Sequence, residues 1–176
     1  MAYRDWARRC GYALPALVML AVTAAPGANA DPPGVAVPGN NQYGNARLNN
    51  SIAENVYTIQ QQAGCTTDLK ISPQLRQAAQ WQADDVLNNR DLDGDIGSDG
   101  STVQSRANAA GYQGVASETV MINPALAVSA IEVMNNWYYR PDYMAIMSNC
   151  ANTQIGVWSD SQLDRTVLVA VYGIPA

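Results

Sequence analysis

The residues of this chain that are best suited to chemistry are carboxylates, because histidine is absent from its 176 residues. Four aspartates share one short Asp/Gly-rich segment: Asp91, Asp93, Asp95 and Asp99. This spacing begins like the calcium-binding loop of an EF-hand. However, Ile96 occupies the position where the sharp turn needs glycine, and Thr102 the position of the bidentate glutamate. A standard EF-hand is therefore excluded, and the segment predicts either a looser calcium site or a solvated, turn-rich loop.

The lack of histidine also excludes several classes of function. Ser-His-Asp and Cys-His nucleophile arrangements need an imidazole, as do His-ligated zinc and haem sites. We therefore expect no zinc, and no cofactor other than the calcium considered above. Ser101 and Thr102 have no base beside them in the sequence and are not proposed as nucleophiles. The formal charge of -5 and the absence of a basic run argue against a nucleic-acid partner.

The first thirty residues predict export from the cell. Three arginines precede an apolar run from Tyr12 to Ala25, which is followed by the small-residue sequence Ala28-Asn29-Ala30. This order is typical of a secretory signal peptide over residues 1–30. The alternative is a membrane anchor, but the apolar run is shorter than the ~20 residues that a bilayer requires. We therefore expect a secreted protein, extracellular or in the cell envelope, with no membrane span.

The rest of the chain predicts a linker and one domain. Proline and glycine are concentrated in residues 31–43, which predicts a linker, and the domain follows over residues 44–176. Cys65 and Cys150 are the two cysteines beyond the signal peptide. An even pair in an exported chain predicts a disulfide, with two buried thiols as the alternative. We expect the domain to be monomeric.

Apolar periodicity predicts alternating helices and strands. The first helix covers 48–63 and ends at Gly64, and the second begins with Ser72 and Pro73 and ends at Asn88-Asn89. A helix over 102–111 and a strand over 115–122 follow. The next helix is capped by Asn123 with Pro124 in its first position, and after it come helical turns over 141–147 and strands over 153–159 and 166–173. The last two strands predict an antiparallel hairpin. The fold class is therefore α/β, a sandwich in which helices cover a small, mostly antiparallel sheet.

Six blocks of sequence together resemble a known family. They are Asn45 to Gly64-Cys65, Leu75 to Ala83, Ser98 to Thr102 followed by Arg106 and Gly111-Tyr112, Ser117-Glu118-Thr119-Val120, Trp137 to Pro141, and Gln154-Ile155-Gly156-Val157. In this order and spacing the chain resembles the bacterial branch of the CAP superfamily, which contains the cysteine-rich secretory, antigen 5 and pathogenesis-related proteins. The resemblance covers about residues 44–174. It implies an exported, usually disulfide-bonded domain with a three-layer α-β-α sandwich and a large open cleft.

The family cleft usually presents two histidines and one or two glutamates that can hold a divalent metal. The resemblance places the first histidine on Asp95 and the principal glutamate on Glu118. The second histidine falls on Tyr143, or on Asn152 by another alignment, and a further glutamate corresponds to Glu132. Both histidines are missing, so the resemblance implies a degenerate cleft with oxygen ligands only.

This departure favours a non-catalytic, secreted CAP-like domain that binds a lipid, another apolar ligand, or an envelope or host partner. One alternative is a hydrolase that uses Asp95 and Glu118, because two close carboxylates raise the pKa of one of them. The other is a calcium-stabilised structural module. Glu118 also has a structural interpretation, as an acceptor for loop backbone under the cleft. An aromatic cluster beside the cleft predicts either a ligand surface or core packing: Trp137, Tyr138, Tyr139 and Tyr143.

Overall fold

The computed structural model describes residues 45–124 and 127–176. The predicted signal peptide and linker lie outside the described residues. Within the described residues the elements are α1 (Ala46–Gln62), β1 (Lys70–Ile71), α2 (Pro73–Asn88), α3 (Val103–Ala109), β2 (Val115–Asn123), α4 (Ala130–Tyr138), α5 (Pro141–Met147), β3 (Gln154–Gln162) and β4 (Arg165–Ile174). No helix among these residues is long and apolar enough to cross a membrane.

The four strands form one mixed sheet in the order β1-β3-β4-β2. Strands β3 and β4 form the predicted antiparallel hairpin, and β2 pairs antiparallel with the other side of β4. Strand β1 pairs in parallel with β3. The sequence analysis missed β1, because two residues are too short to carry a periodic signal. Two of the three pairings are antiparallel, as the fold class predicts.

The central strand β4 shows why the fold has three layers. Its side chains alternate between two cores, since successive residues of a strand point to opposite faces. Leu168, Ala170 and Tyr172 pack in a core with residues of α1, α4 and α5. Val167, Val169 and Val171 pack in a second core with residues of α2 and α3. Helices therefore cover both faces of the sheet, which confirms the α-β-α sandwich.

The first two helices match the predicted ones, except that α1 begins two residues earlier and ends one residue earlier than predicted. The Asn45 carboxamide caps α1 by accepting from the Leu48 backbone, and Gly64 follows the helix with a φ of 87°. That left-handed conformation suits glycine. Helix α2 is capped by Ser72 and has proline in its first position.

The predicted start of the fourth helix is wrong. Asn123 is the last residue of β2 and pairs with Thr166, so it does not cap a helix. Helix α4 begins at Ala130, and its cap is a reciprocal box in which Ser129 and Glu132 bind each other's backbone N–H. Strand β2 therefore continues through Asn123, where the Asn-Pro pair had predicted the start of a helix. The hairpin strands are also longer than predicted and leave only residues 163 and 164 in the turn.

The predicted disulfide joins Cys65 and Cys150, whose Cα atoms are 5.1 Å apart. It ties the end of α1 to the segment that follows α5. Next to it, the buried Gln60 side chain donates to the backbone oxygen of Asn152 over 2.9 Å. The disulfide and this hydrogen bond fix the connection between α5 and β3 against the first helix.

Candidate functional site

The centre of the predicted cleft is a buried ion pair between α3 and β2. The Nη2 atom of Arg106 donates to Oε1 of Glu118 over 2.6 Å, and the two side chains are 5% and 4% exposed. The other guanidinium nitrogen, Nη1, donates to the backbone oxygen of Ser101 over 2.8 Å. Arg106 therefore connects the Asp/Gly-rich loop to the sheet. The sequence predicted that a structural Glu118 would accept hydrogen bonds from loop backbone. In the structure its carboxylate instead accepts a hydrogen bond from the Arg106 guanidinium.

The environment of Glu118 shifts its proton affinity. Burial raises the pKa of Glu118 to about 7, although the charge and hydrogen bond of Arg106 act to lower it. The negative charge of Asp95 adds to the increase. The second oxygen, Oε2, is buried and has no hydrogen-bond partner among the described residues. A carboxyl group in this state can hold a proton near neutral pH.

Asp95 lies at the same site but is exposed to solvent. Its charge contributes to raising the pKa of Glu118, of Tyr143 and of Arg140, after larger causes in each case. The Nη2 atom of Arg106, which binds Glu118, also donates to the backbone oxygen of Asp95 over 3.3 Å, so Asp95 lies close to Glu118.

Tyr143 is 5% exposed, and its hydroxyl accepts the backbone N–H of Val120 over 3.2 Å. The indole Nε1 of Trp137 donates to the Val120 oxygen, also over 3.2 Å. Two side chains of α4 and α5 therefore satisfy the outward backbone groups of β2 at one residue. Burial is the main cause that raises the pKa of Tyr143, and the Arg140 guanidinium lies 3.5 Å from its ring centroid. The hydroxyl stays neutral and supports the sheet edge.

The remaining cleft positions have structural partners. The Asn152 side chain, which is 2% exposed, donates to the backbone oxygen of Ile146 over 2.9 Å. The carboxylate of Glu132 accepts from the Ser129 backbone and hydroxyl over 2.8 and 2.7 Å, and this interaction lowers its pKa. Glu132 thus caps α4. Asn152 holds a turn closed.

The acidic loop is held by hydrogen bonds to its own backbone and to α2. The Asp99 carboxylate accepts the Ser101 backbone N–H over 2.8 Å, and Asp85 of α2 accepts the backbone and hydroxyl of Ser98, each over 2.7 Å. Residues 45–124 and 127–176 contain no group of three or more carboxylate or thiol side chains placed to hold a metal ion. Asp91, Asp93, Asp95 and Asp99 are therefore not gathered into a calcium site.

Comparison with known proteins identifies the family. A model described as the cysteine-rich secretory protein family, CAP, matches residues 41–172. This chain belongs to the CAP family. No curated protein sequence matches the chain.

Solved structures share the CAP fold. An outer surface protein from Borrelia burgdorferi has a TM-score of 0.61 and 16% identity, and the alignment covers 71% of this chain and 90% of that one. An extracellular protein containing an SCP domain from Bacillus anthracis has a TM-score of 0.59 and 15% identity over 82% of this chain and 45% of that one. The protein NaASP2, solved with Zn2+, has a TM-score of 0.55 and 9% identity, and the alignment covers 78% of this chain and 84% of that one. At these identities the similarity shows the fold alone.

The residues of this CAP domain do not fit the divalent metal that the family cleft usually holds. By the sequence resemblance, the second family histidine corresponds to Tyr143 or to Asn152, and either side chain makes a hydrogen bond to the backbone. Glu118 binds Arg106, which leaves Asp95 as the exposed carboxylate at the site. One exposed carboxylate and one that is paired with arginine do not make a metal-binding set.

The aromatic cluster divides between core and surface. Trp137 and Tyr143 are 0% and 5% exposed and pack edge to face in the core. Tyr138 and Tyr139 are 51% and 79% exposed. Core packing therefore holds for Trp137 and Tyr143, whereas Tyr138 and Tyr139 lie at the surface.

The sequence analysis missed a groove between α1 and β1. Its volume is about 500 Å³. The lining residues are Asn50, Ala53, Glu54, Tyr57, Thr58, Asp68, Leu69 and Ile71. The exposed apolar side chains of Tyr57 and Ile71 could have indicated this groove, because neither side chain is buried in the core.

Proposed function

We propose that this CAP domain is a secreted, non-catalytic binding module for a lipid, another apolar ligand, or an envelope or host protein. The observation that carries the proposal is the buried contact between Arg106 and Glu118. It occupies the principal cleft carboxylate with a structural partner on a neighbouring element. The two positions that correspond to the second histidine also form structural hydrogen bonds. The cleft therefore supports the loops around it rather than a reaction.

The surface features that support binding lie outside the cleft. The groove between α1 and β1 offers apolar lining from Ala53, Tyr57, Leu69 and Ile71. Pockets of a few hundred Å³ with apolar walls and a few polar groups are typical ligand sites. The extracellular and outer-surface descriptions of structural neighbours agree with secretion.

A second candidate function is hydrolysis by Asp95 and Glu118. The observation in its favour is that burial raises the pKa of Glu118 to about 7, while its Oε2 has no hydrogen-bond partner among the described residues. A carboxyl group with a pKa near neutrality can act as a general acid, and an exposed Asp95 beside it can act as a base. Burial of Glu118 against Arg106 limits its access to a substrate, which is why the binding function is preferred.

The experiment is thermal unfolding of the oxidised protein after chelator treatment, with calcium, magnesium or zinc added separately. The proposal expects no metal-specific rise in Tm, because the loop aspartates are dispersed. A calcium-specific rise of several degrees that Asp95→Ala abolishes would instead support the calcium-stabilised module.

The hydrolase alternative is tested with ester, glycoside and peptide substrates. Turnover that follows a pKa near 7 and disappears in both Glu118→Gln and Asp95→Asn would replace the binding proposal. Saturable binding of a fluorescent fatty acid or of an envelope protein, unchanged by Asp95→Asn, is the positive result that the binding proposal expects.

A further inference from the structure

We propose that the outer edge of β1 binds an extended peptide segment of alternating apolar and basic residues, which adds a strand to the sheet. The inference rests on the proposed binding function and names the class of partner. Strand addition combines backbone hydrogen bonds with side-chain pockets, so both an open edge and a suitable groove are needed. This domain has both at the same place.

The backbone of Ile71 faces away from the sheet. The N–H groups of Lys70 and Ser72 donate to β3, at the oxygens of Thr153 and Ile155, over 2.9 and 2.8 Å. In a parallel pair successive residues bond alternately to the two sides, so the N–H and C=O of Ile71 point outward. Within residues 45–124 and 127–176 no hydrogen bond to either group is present. As far as the described residues go, one donor and one acceptor therefore remain for an incoming strand.

The opposite edge of the sheet shows how this protein closes an edge. There the outward N–H and C=O of Val120 are bound by Tyr143 and Trp137. Unpaired edges template the addition of further strands, and proteins usually cover them. Ile71 has no comparable side chains over it among the described residues and is 57% exposed. The two edges thus differ in kind, and β1 is the one that can accept a strand.

The groove beside β1 supplies the apolar part of the site. Ile71 itself lines it, together with Ala53, Tyr57 and Leu69. Its volume of about 500 Å³ is large enough for more than one aliphatic side chain. Alternate residues of an added strand would point toward it, since side chains in a strand alternate between faces.

Two carboxylates determine the charge of the partner. Glu54 and Asp68 line the groove and are exposed. Neither forms a salt bridge in the described part of the chain, where the three ion pairs use other acids. Lys70 is not among the lining residues. Charge complementarity therefore favours lysine or arginine in the peptide.

The test uses a capped, fluorescein-labelled hexapeptide of alternating valine and lysine, with binding followed by fluorescence anisotropy. Ile71→Pro removes the outward N–H and keeps the bonds of Lys70 and Ser72 to β3, so the sheet is retained. Leu163→Ala is the matched control for loss of an exposed apolar side chain. Leu163 lies in the hairpin turn and is 88% exposed. A peptide N-methylated on alternate residues tests the same hydrogen bonds without altering the protein.

We expect saturable binding that Ile71→Pro and N-methylation each weaken at least tenfold, while Leu163→Ala has no effect. Glu54→Gln combined with Asp68→Asn should weaken binding severalfold and reduce its salt dependence. No saturable binding, or binding that survives both Ile71→Pro and N-methylation, would overturn the inference. A concentration-dependent dimer that Ile71→Pro dissociates would also overturn it, because a second copy would then occupy the edge. The outcome of the peptide test does not change the outcome of the metal and hydrolysis tests. The peptide inference and the proposed function can therefore fail separately.

Discussion

The guanidinium of Arg106 lies 2.6 Å from the carboxylate of Glu118, and both side chains are buried. Helix α3 carries the cation and β2 carries the anion, so the contact joins two layers of the sandwich. Buried charges are tolerated only when they are paired. This contact gives Glu118 a structural role as the buried partner of Arg106.

Breaking this pair should destabilise the protein strongly. Glu118→Ala leaves the Arg106 charge buried without its partner, and we expect a loss of about 3–5 kcal/mol in the free energy of unfolding. The double variant Arg106→Met with Glu118→Leu should recover much of the loss, because apolar replacements carry no charge to bury. Urea denaturation of Arg106→Met, Glu118→Leu and the double variant measures the coupling. Additive effects would contradict the pairing.

Asp84 makes stability depend on pH in the acidic range. Burial raises the pKa of Asp84 to about 6, and the Asp160 charge adds to the increase. The folded state thus holds this proton more tightly than the unfolded state, whose pKa is 3.8. Its stabilising contribution is complete below pH 3.8 and is lost as the pH rises through 6.

Asp84→Asn should therefore stabilise the protein at pH 7.5 by about 1 kcal/mol, after allowance for partial solvent screening. At pH 4 the variant and the parent should differ little. Denaturation at the two pH values is the measurement. Equal effects at both pH values would show that the charge of Asp84 is not the cause.

The disulfide should contribute a large part of the stability. Cys65 and Cys150 are 85 residues apart in the sequence, and closing a loop of that length is worth roughly 4.5 kcal/mol in the chain-entropy model. Replacing both cysteines with alanine should lower the free energy of unfolding by an amount of that order. Reduction of the parent protein should give a similar loss. Unchanged stability in either experiment would contradict the prediction.

Gly156 lies where β3 passes directly against α2. A methyl group on this residue would collide with the backbone of Leu75 and Arg76 rather than with a flexible side chain. Gly156→Ala should therefore cost at least about 3 kcal/mol, because neither element can move without disturbing the core. Thermal and urea unfolding would measure it. A variant as stable as the parent would show that α2 can shift away from the sheet.

The cap of α4 provides a test of the role assigned to Glu132. Ser129→Ala removes the side chain that accepts the Glu132 backbone N–H, and we expect a loss of about 1 kcal/mol. Glu132→Ala should also destabilise the helix, while binding to the fatty-acid and peptide probes stays unchanged. A loss of ligand binding without a loss of stability would support the assignment of Glu132 as a cleft carboxylate.

The fold was largely predictable from local signals. The helix α1 has apolar residues at regular spacing and a terminal glycine, and α2 has a serine cap followed by proline, so their limits follow from short-range chemistry. The start of α4 was not predictable in this way. Asn123 and Pro124 give a strong local helix signal, but pairing of Asn123 with Thr166 outweighed it. Such pairing joins residues far apart in the sequence and leaves no local pattern.

The sequence by itself determined the CAP architecture, the disulfide and the absence of histidine, because residue types and their order carry this information. Only the tertiary structure decided what the remaining cleft residues do. Glu118 could have been a general acid, a metal ligand or a support, and the choice depended on Arg106, which lies on another element. The open edge at Ile71 likewise follows from which strands pair and which helices cover them. These are properties of packing between distant segments, where burial and hydrogen-bond partners are set.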